Sequence, residues 1–146
     1  MKLSEHLTRA EFEHSETAIN RGISNSMTDT HLKNAINLAV NIFEPIRVFR
    51  GKPIKINSGY RSSALNRAIG GSKTSQHCTG EAIDLPLTAR EFHFIKDNLL
   101  FDQLIWEFGN DNEPQWVHVS LSGNGKNRKQ VLRAKKVGKV TVYSAF

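Results

Sequence analysis

Leu32, Ile36, Ala39, Phe43 and Ile46 recur three or four residues apart, the spacing that lines apolar side chains along one face of an α-helix. They predict one long amphipathic helix from about Thr28 towards Phe49. Pro45 should kink or divide it, because proline lacks the amide hydrogen and crowds the preceding turn, and Gly51 stops it. Nearer the start, Thr8 and Glu11 form a T-x-x-E capping box, so a short helix begins near Thr8. Residues 20–27 (NRGISNSM) read as a loop. Past Gly51 the pattern shortens. PIKIN (53–57) alternates apolar and polar residues and reads as a strand; Ser58 to Tyr60 turn the chain. Ser62 to Ile69 can form one or two helical turns ending at Gly70 and Gly71. Residues 72–80 are polar and irregular, a loop. Ala82 to Leu85 is a short apolar strand interrupted only by Asp84. Thr88 and Glu91 form a second capping box, opening a helix that turns Phe92, Ile95 and Leu99 inward.

From Gln103 the period changes to two. QLIWEF, WVHVSL, QVLRA and KVTVYS are separated by GNDNEPQ, SGNGKNRK and KKVG, a meander-like spacing that favours an antiparallel sheet. Helices first and strands later give an α+β fold, with N-terminal helices packed on a small, mainly antiparallel sheet. No repeat, low-complexity tract or linker divides the chain, so residues 1–146 are read as one domain. SGNGKNRK lacks the strand-to-helix setting of a phosphate loop and reads as a hairpin turn; residues 122–146 read as a C-terminal β-hairpin extension.

With 146 residues, 38% of them hydrophobic and 23% charged, the chain can bury a core without disulfides. A single cysteine, Cys78, excludes an internal disulfide and any metal site built mainly from thiolates. Any metal here must be held by imidazole and carboxylate. The first residues carry no apolar leader, and no stretch is apolar enough to cross a membrane. The expectation is synthesis in the cytoplasm and action elsewhere after release or delivery. The net charge of +6, concentrated between Lys126 and Lys139, favours encounter with anionic polymers such as nucleic acid or bacterial cell wall, or is simply a solvated strand surface.

The carboxylate in AIDL needs a partner, because a buried unpaired Asp is costly. His77 stands seven residues earlier, in SQHCTGEA, where Gly80 and Ala82 allow a tight return. Alternation in WVHVSL puts Trp116, His118 and Ser120 on one face and Val117, Val119 and Leu121 on the other; if the valines face the core, His118 faces a cleft. Two imidazoles and a carboxylate are a common catalytic zinc set, leaving a fourth position open. The spacing alone is weak, and a lone histidine is more often a surface residue than a ligand.

SGYRS (58–62), SQHCTGEAID (75–84) and WVHVSL (116–121), in this order, resemble the M15 family of zinc peptidases. That family includes D-alanyl-D-alanine carboxypeptidases and phage endolysins cutting between L-Ala and D-Glu, and is related to the Hedgehog signalling domain. The likeness covers residues 28–121 and looks closest to the small phage and prophage branch. It implies one Zn2+ bound by His77, Asp84 and His118, a Hedgehog-like fold, and a peptidoglycan stem peptide as substrate; the chain is further expected to be a monomer and to bind no nucleic acid. It also implies that Arg61, in the S-G-Y-R-S turn, holds a substrate oxygen through its fixed, always charged donor fork, with Ser75 or Gln76 assisting.

Many relatives carry an acid three positions before the second His, where this chain has Gln115, so the general base does not carry over. Glu107 in LIWEF is favoured, because that strand should pair with WVHVSL. Glu113, in GNDNEPQ, is the alternative base and Asp111 a remote third. Trp106 and Trp116 read as core aromatics, Cys78 as a spectator thiol, and His6, His14, His31 and His93 as helix-surface residues. The leading reading is a zinc peptidase of cell-wall stem peptides. The alternative is a zinc-containing wall-binding module without catalysis, which the missing acid at Gln115 suggests.

Overall fold

A computed structural model describes residues 1–146. A small hairpin, β1 (Lys2–Ser4) and β2 (Leu7–Thr8), opens the chain; both strands are too short to show in the apolar pattern. Thr8 then caps α1 (Arg9–Glu13), its Oγ1 accepting from the Glu11 amide at 3.1 Å while the Glu11 carboxylate accepts from the Thr8 amide at 3.0 Å. The capping box is present as read. A further helix, α2 (Glu16–Arg21), was not expected from the sequence; it is capped by Ser15 and closed by Gly22.

The long helix runs from Asp29 to Arg50 as α3 (Asp29–Leu38), a π-helical turn (Ala39–Phe43) and α4 (Glu44–Arg50). Pro45 has no amide to donate to the preceding turn, and the widened π-turn ahead of it takes up the misfit without breaking the helix. Leu38, Ala39, Ile42, Phe43 and Ile46 are fully buried. They share one core with Phe92 and Ile95 of α6 (Ala89–Asn98) and with one face of the main sheet. Between them lies α5 (Ser63–Ala68), capped by Ser62.

The main sheet contains β3 (Ala82–Leu85), β4 (Gln103–Glu107), β5 (Trp116–Ser120), β6 (Gln130–Val137) and β7 (Val140–Ala145). Their order is β3-β5-β4-β6-β7. Every pairing is antiparallel except β4 with β6, which is parallel. The sheet is therefore mixed rather than a meander. SGNGKNRK, expected as a hairpin turn, is instead a crossover that carries the chain from β5 past β4 to its far side. The cause lies at Asp102, just before β4. Its carboxylate accepts from the Arg128 backbone amide at 2.9 Å, from Nε at 3.0 Å and from Nη2 at 2.8 Å, while its carbonyl accepts from the Gln130 amide. These bonds set β6 beside β4 in the same direction. The final turn is a hairpin as expected, with Val137 opposite Val140 and Gly138 at positive φ.

PIKIN, expected as a strand, is extended but forms none: the Asn57 amide donates to the Asp84 carbonyl at 2.9 Å, and the bridge to β3 is made by the next residue, Ser58, with Asp84. No helix is long and apolar enough to cross a membrane.

Candidate active site

One face of the main sheet meets the helices; the other is the floor of a cleft of about 990 Å³. Alternation decides which side chains reach it. Ile83, Leu85, Val117 and Val119 point into the core and are wholly buried, so Asp84, Trp116 and His118 face the cleft. Asp84 and His118 are direct partners across β3 and β5. His77 arrives from above, on a 3-10 turn (Gln76–Thr79) within the segment read as irregular loop. Gly80 closes that turn at φ 77°, and a side chain there would collide with the His31 carbonyl.

The S-G-Y-R-S segment is stitched to the same place. The Asp84 amide donates to the Ser58 carbonyl at 2.8 Å, and the Arg61 amide donates to the His77 carbonyl at 3.1 Å. Gly59 lies against Phe12 with no room for a side chain, and its carbonyl sits 2.7 Å from Nδ1 of His77. A carbonyl can only accept, so Nδ1 carries the hydrogen and Nε2 keeps its lone pair.

Nε2 of His77 has no hydrogen-bond partner and lies 3.2 Å from Oδ2 of Asp84, whose other oxygen is 2.9 Å from Nδ1 of His118. Burial lowers the pKa of His77 despite the raising influence of Asp84, which favours the neutral imidazole. A lone pair facing a carboxylate oxygen is two acceptors in contact, an arrangement a cation resolves. One donor atom from each of His77, Asp84 and His118 lies within 4.8 Å of the others. Two nitrogens, one oxygen and that spread fit a zinc-sized ion, whose ligands stand at roughly 2.0–2.2 Å. Burial alone would raise Asp84, but the two imidazoles outweigh it and hold its carboxyl well below the usual range. Glu5, His6 and Glu44 also cluster, but there Glu44 accepts from Ser4 and from the His6 amide, so hydrogen bonds explain the group.

Glu107 shares the floor. It is 7% exposed and lines the cleft. Burial pushes its carboxyl up to about 7, with the charge of Asp84 adding to the rise and His118 opposing it. Glu113 does not line the cleft: its carboxylate accepts from the Ala89 amide at 2.7 Å, at the start of α6. Asp111 is exposed and paired with Arg133. Arg61 lines the cleft, with Nη1 bonded to Asn66 at 3.2 Å and a buried Nε that has no partner. Ser75 and Gln76 line it as well; Ser75 Oγ accepts from the His77 amide and Gln76 Nε2 donates to Asp102.

The sequence model of the peptidase M15 family matches residues 5–120. The chain belongs to the M15 peptidases. No curated protein matches it. The M15 match takes in the S-G-Y-R-S turn, all three candidate ligands and Glu107, and ends before β6 and β7. Trp106 is a core aromatic as expected, stacked edge-on against Phe92. Trp116 is not: it is only half-buried, packs on Phe108 and forms cleft wall. Their strands pair Trp106 with Val117 and Glu107 with Trp116, which puts the two tryptophans on opposite faces. His6 lies in the β1–β2 turn rather than on a helix, and His31 is half-buried with Nδ1 3.1 Å from the Tyr60 hydroxyl.

Supporting residues of this M15 site had no motif to announce them. Asn66 orients Arg61. Asn25 donates to the Glu13 and Tyr60 carbonyls and accepts from the Ser62 amide, tying the N-terminal segment to the S-G-Y-R-S turn. Asp102 binds Gln76, the residue before the candidate ligand His77, and Arg128 draws its carboxyl below the usual range. A buried Asp before a strand, as Asp102 is, looks like any polar loop residue until its partners are seen.

Proposed function

We propose that this M15 chain is a zinc-dependent peptidase that hydrolyses a peptide bond in bacterial peptidoglycan stem peptides, as a D,D-carboxypeptidase or an L,D-endopeptidase. The observation that carries this reading is the convergence of His77, Asp84 and His118 at one cleft with the buried carboxyl of Glu107. Zinc held by the three ligands supplies a Lewis acid for the scissile carbonyl and makes water a better nucleophile at neutral pH.

The chain's own groups do the rest. Gly59 holds His77 in the tautomer that presents a lone pair. Glu107, on the cleft floor with His118, takes the proton of the attacking water and returns it to the leaving amine. Arg61 brings a fixed positive charge to the cleft and stabilises the oxygen on which negative charge develops. Trp116 forms cleft wall beside Glu107, its partner across β4 and β5. The +6 charge favours encounter with an anionic wall.

Digestion of purified peptidoglycan with and without a chelator tests this. Release of fragments only in the unchelated sample is expected, and their masses separate loss of a terminal D-Ala from a cut between L-Ala and D-Glu. Intact wall in both samples overturns the reading. Gln115, exposed where many relatives carry an acid, favours one alternative, a zinc-holding wall-binding module. Zinc retained without turnover on any peptidoglycan would establish that module instead.

A further inference from the structure

The C-terminal hairpin lies outside residues 5–120, the span matched by the M15 family, yet it builds one wall of the cleft through Leu132, Thr141 and Tyr143. Its register ties it to the reacting groups. Tyr143 is opposite Ala134, Ala134 is opposite Glu107, and Glu107 is opposite Trp116. Residues in one such row share a face of the sheet, and Glu107, Trp116 and Tyr143 all line the cleft. Only the methyl group of Ala134, wholly buried, stands between Glu107 and Tyr143. Two strand spacings, roughly 10 Å, separate their backbones, and a phenol leaning over an alanine narrows that gap.

The Tyr143 side chain is not used by the fold. The residue is 54% exposed, and its hydroxyl has no hydrogen-bond partner in the protein. Burial of part of the ring and the charges of Glu107 and Asp84 raise its phenol above the ordinary range, so it remains a proton donor at neutral pH. Sheet order sets β3, with Asp84 and the adjoining S-G-Y-R-S turn, at one edge and β7 at the other.

We propose that Tyr143 is a substrate-contacting residue: its phenol donates a hydrogen bond to an oxygen of the bound peptide, from the wall across the cleft from Arg61. The inference rests on the stem-peptide reading above. It assigns to the hairpin a part in substrate selection that the family-matched segment does not supply.

The test compares zinc-loaded wild type, Tyr143→Phe and Val142→Ala on soluble muropeptides carrying pentapeptide stems. Val142 alternates with Tyr143 and points to the other face of β7, so its variant controls for damage to the hairpin. Tyr143→Phe should lower kcat/KM about tenfold, the size of one hydrogen bond to a polar or charged oxygen, with zinc content and melting temperature unchanged. Val142→Ala should match wild type. Equal kcat/KM for wild type and Tyr143→Phe overturns the proposal while leaving the peptidase reading intact. If wild type does not turn over, muropeptide affinity measured calorimetrically decides. Weaker binding by Tyr143→Phe supports the contact; equal binding, or no binding by wild type, overturns it.

Discussion

Nδ1 of His77 donates to the carbonyl of Gly59 at 2.7 Å, so a backbone atom of the S-G-Y-R-S turn decides which nitrogen His77 offers to a metal. Gly59 is itself held against Phe12, where a side chain would overlap the Phe12 backbone and ring. Gly59→Ala should therefore displace the turn and tilt the imidazole. Zinc affinity is expected to fall about 10–100-fold, the usual effect of losing an outer partner of a ligand. Competition against a chromogenic chelator measures it, and unchanged affinity would show that His77 is oriented by something else.

Zinc should stabilise the fold, because the three ligands come from β3, β5 and the turn at Gln76–Thr79, which do not converge in the unfolded chain. At a free zinc concentration about 1,000 times Kd the gain is roughly 4 kcal/mol. A clear rise in Tm is expected for wild type and none for Asp84→Ala. Equal shifts in both proteins would mean that zinc binds elsewhere.

Glu107→Gln keeps the shape of the side chain and removes its titration. Activity should fall by roughly 10²–10⁴-fold, the range for losing a general base, with zinc still bound. The same variant has a signature in the metal-free protein. The folded pKa of Glu107 is raised from 4.5 to about 7, so the folded state holds this proton more tightly than the unfolded chain. Stability from that group is fully present below about 4.5 and is lost as pH rises to about 7. Glu107→Gln should flatten this part of the profile and exceed wild type in stability above pH 7. Denaturant titrations at pH 4.5 and 8 check the sign; identical profiles would place the carboxyl in water.

Glu113→Ala separates the two base candidates. Its carboxylate accepts from the Ala89 amide at the first turn of α6, so its loss should cost about 0.5–1 kcal/mol of stability, as for a weakened helix start. Turnover on peptidoglycan should stay within about twofold of wild type, a change of only ~0.4 kcal/mol in barrier. A collapse in activity at normal zinc content would move the base to Glu113.

Much of this arrangement was readable in the chain, and the reasons are local. Alternation in WVHVSL aims His118 at the cleft because each valine between is forced inward, and both capping boxes begin their helices where their residues stand. What could not be read depends on partners. PIKIN alternates like a strand but forms none, the bridge falling to Ser58 just after it, and alternation cannot tell a strand from an extended segment beside one. QVLRA has the same pattern whether its neighbour runs with it or against it. Asp102 settles that direction, through hydrogen bonds between residues 26 positions apart. Trp106 and Trp116 are one residue type in two similar strands, and only the register β4 to β5 sends them to opposite faces.

The parallel docking of β6 on β4 gives the sheet an order of permanence. β4 and β5 each have a neighbour on both sides, whereas β7 is an open edge joined only to β6. Amide protons of β4 and β5, which carry Glu107 and His118, should therefore exchange with solvent far more slowly than those of β7, which can peel away in sub-global openings. Glu107 and His118 stand on the part of the sheet that opens last, and Tyr143 on the part that opens first. One wall of the cleft can thus breathe while the floor beneath it stays fixed.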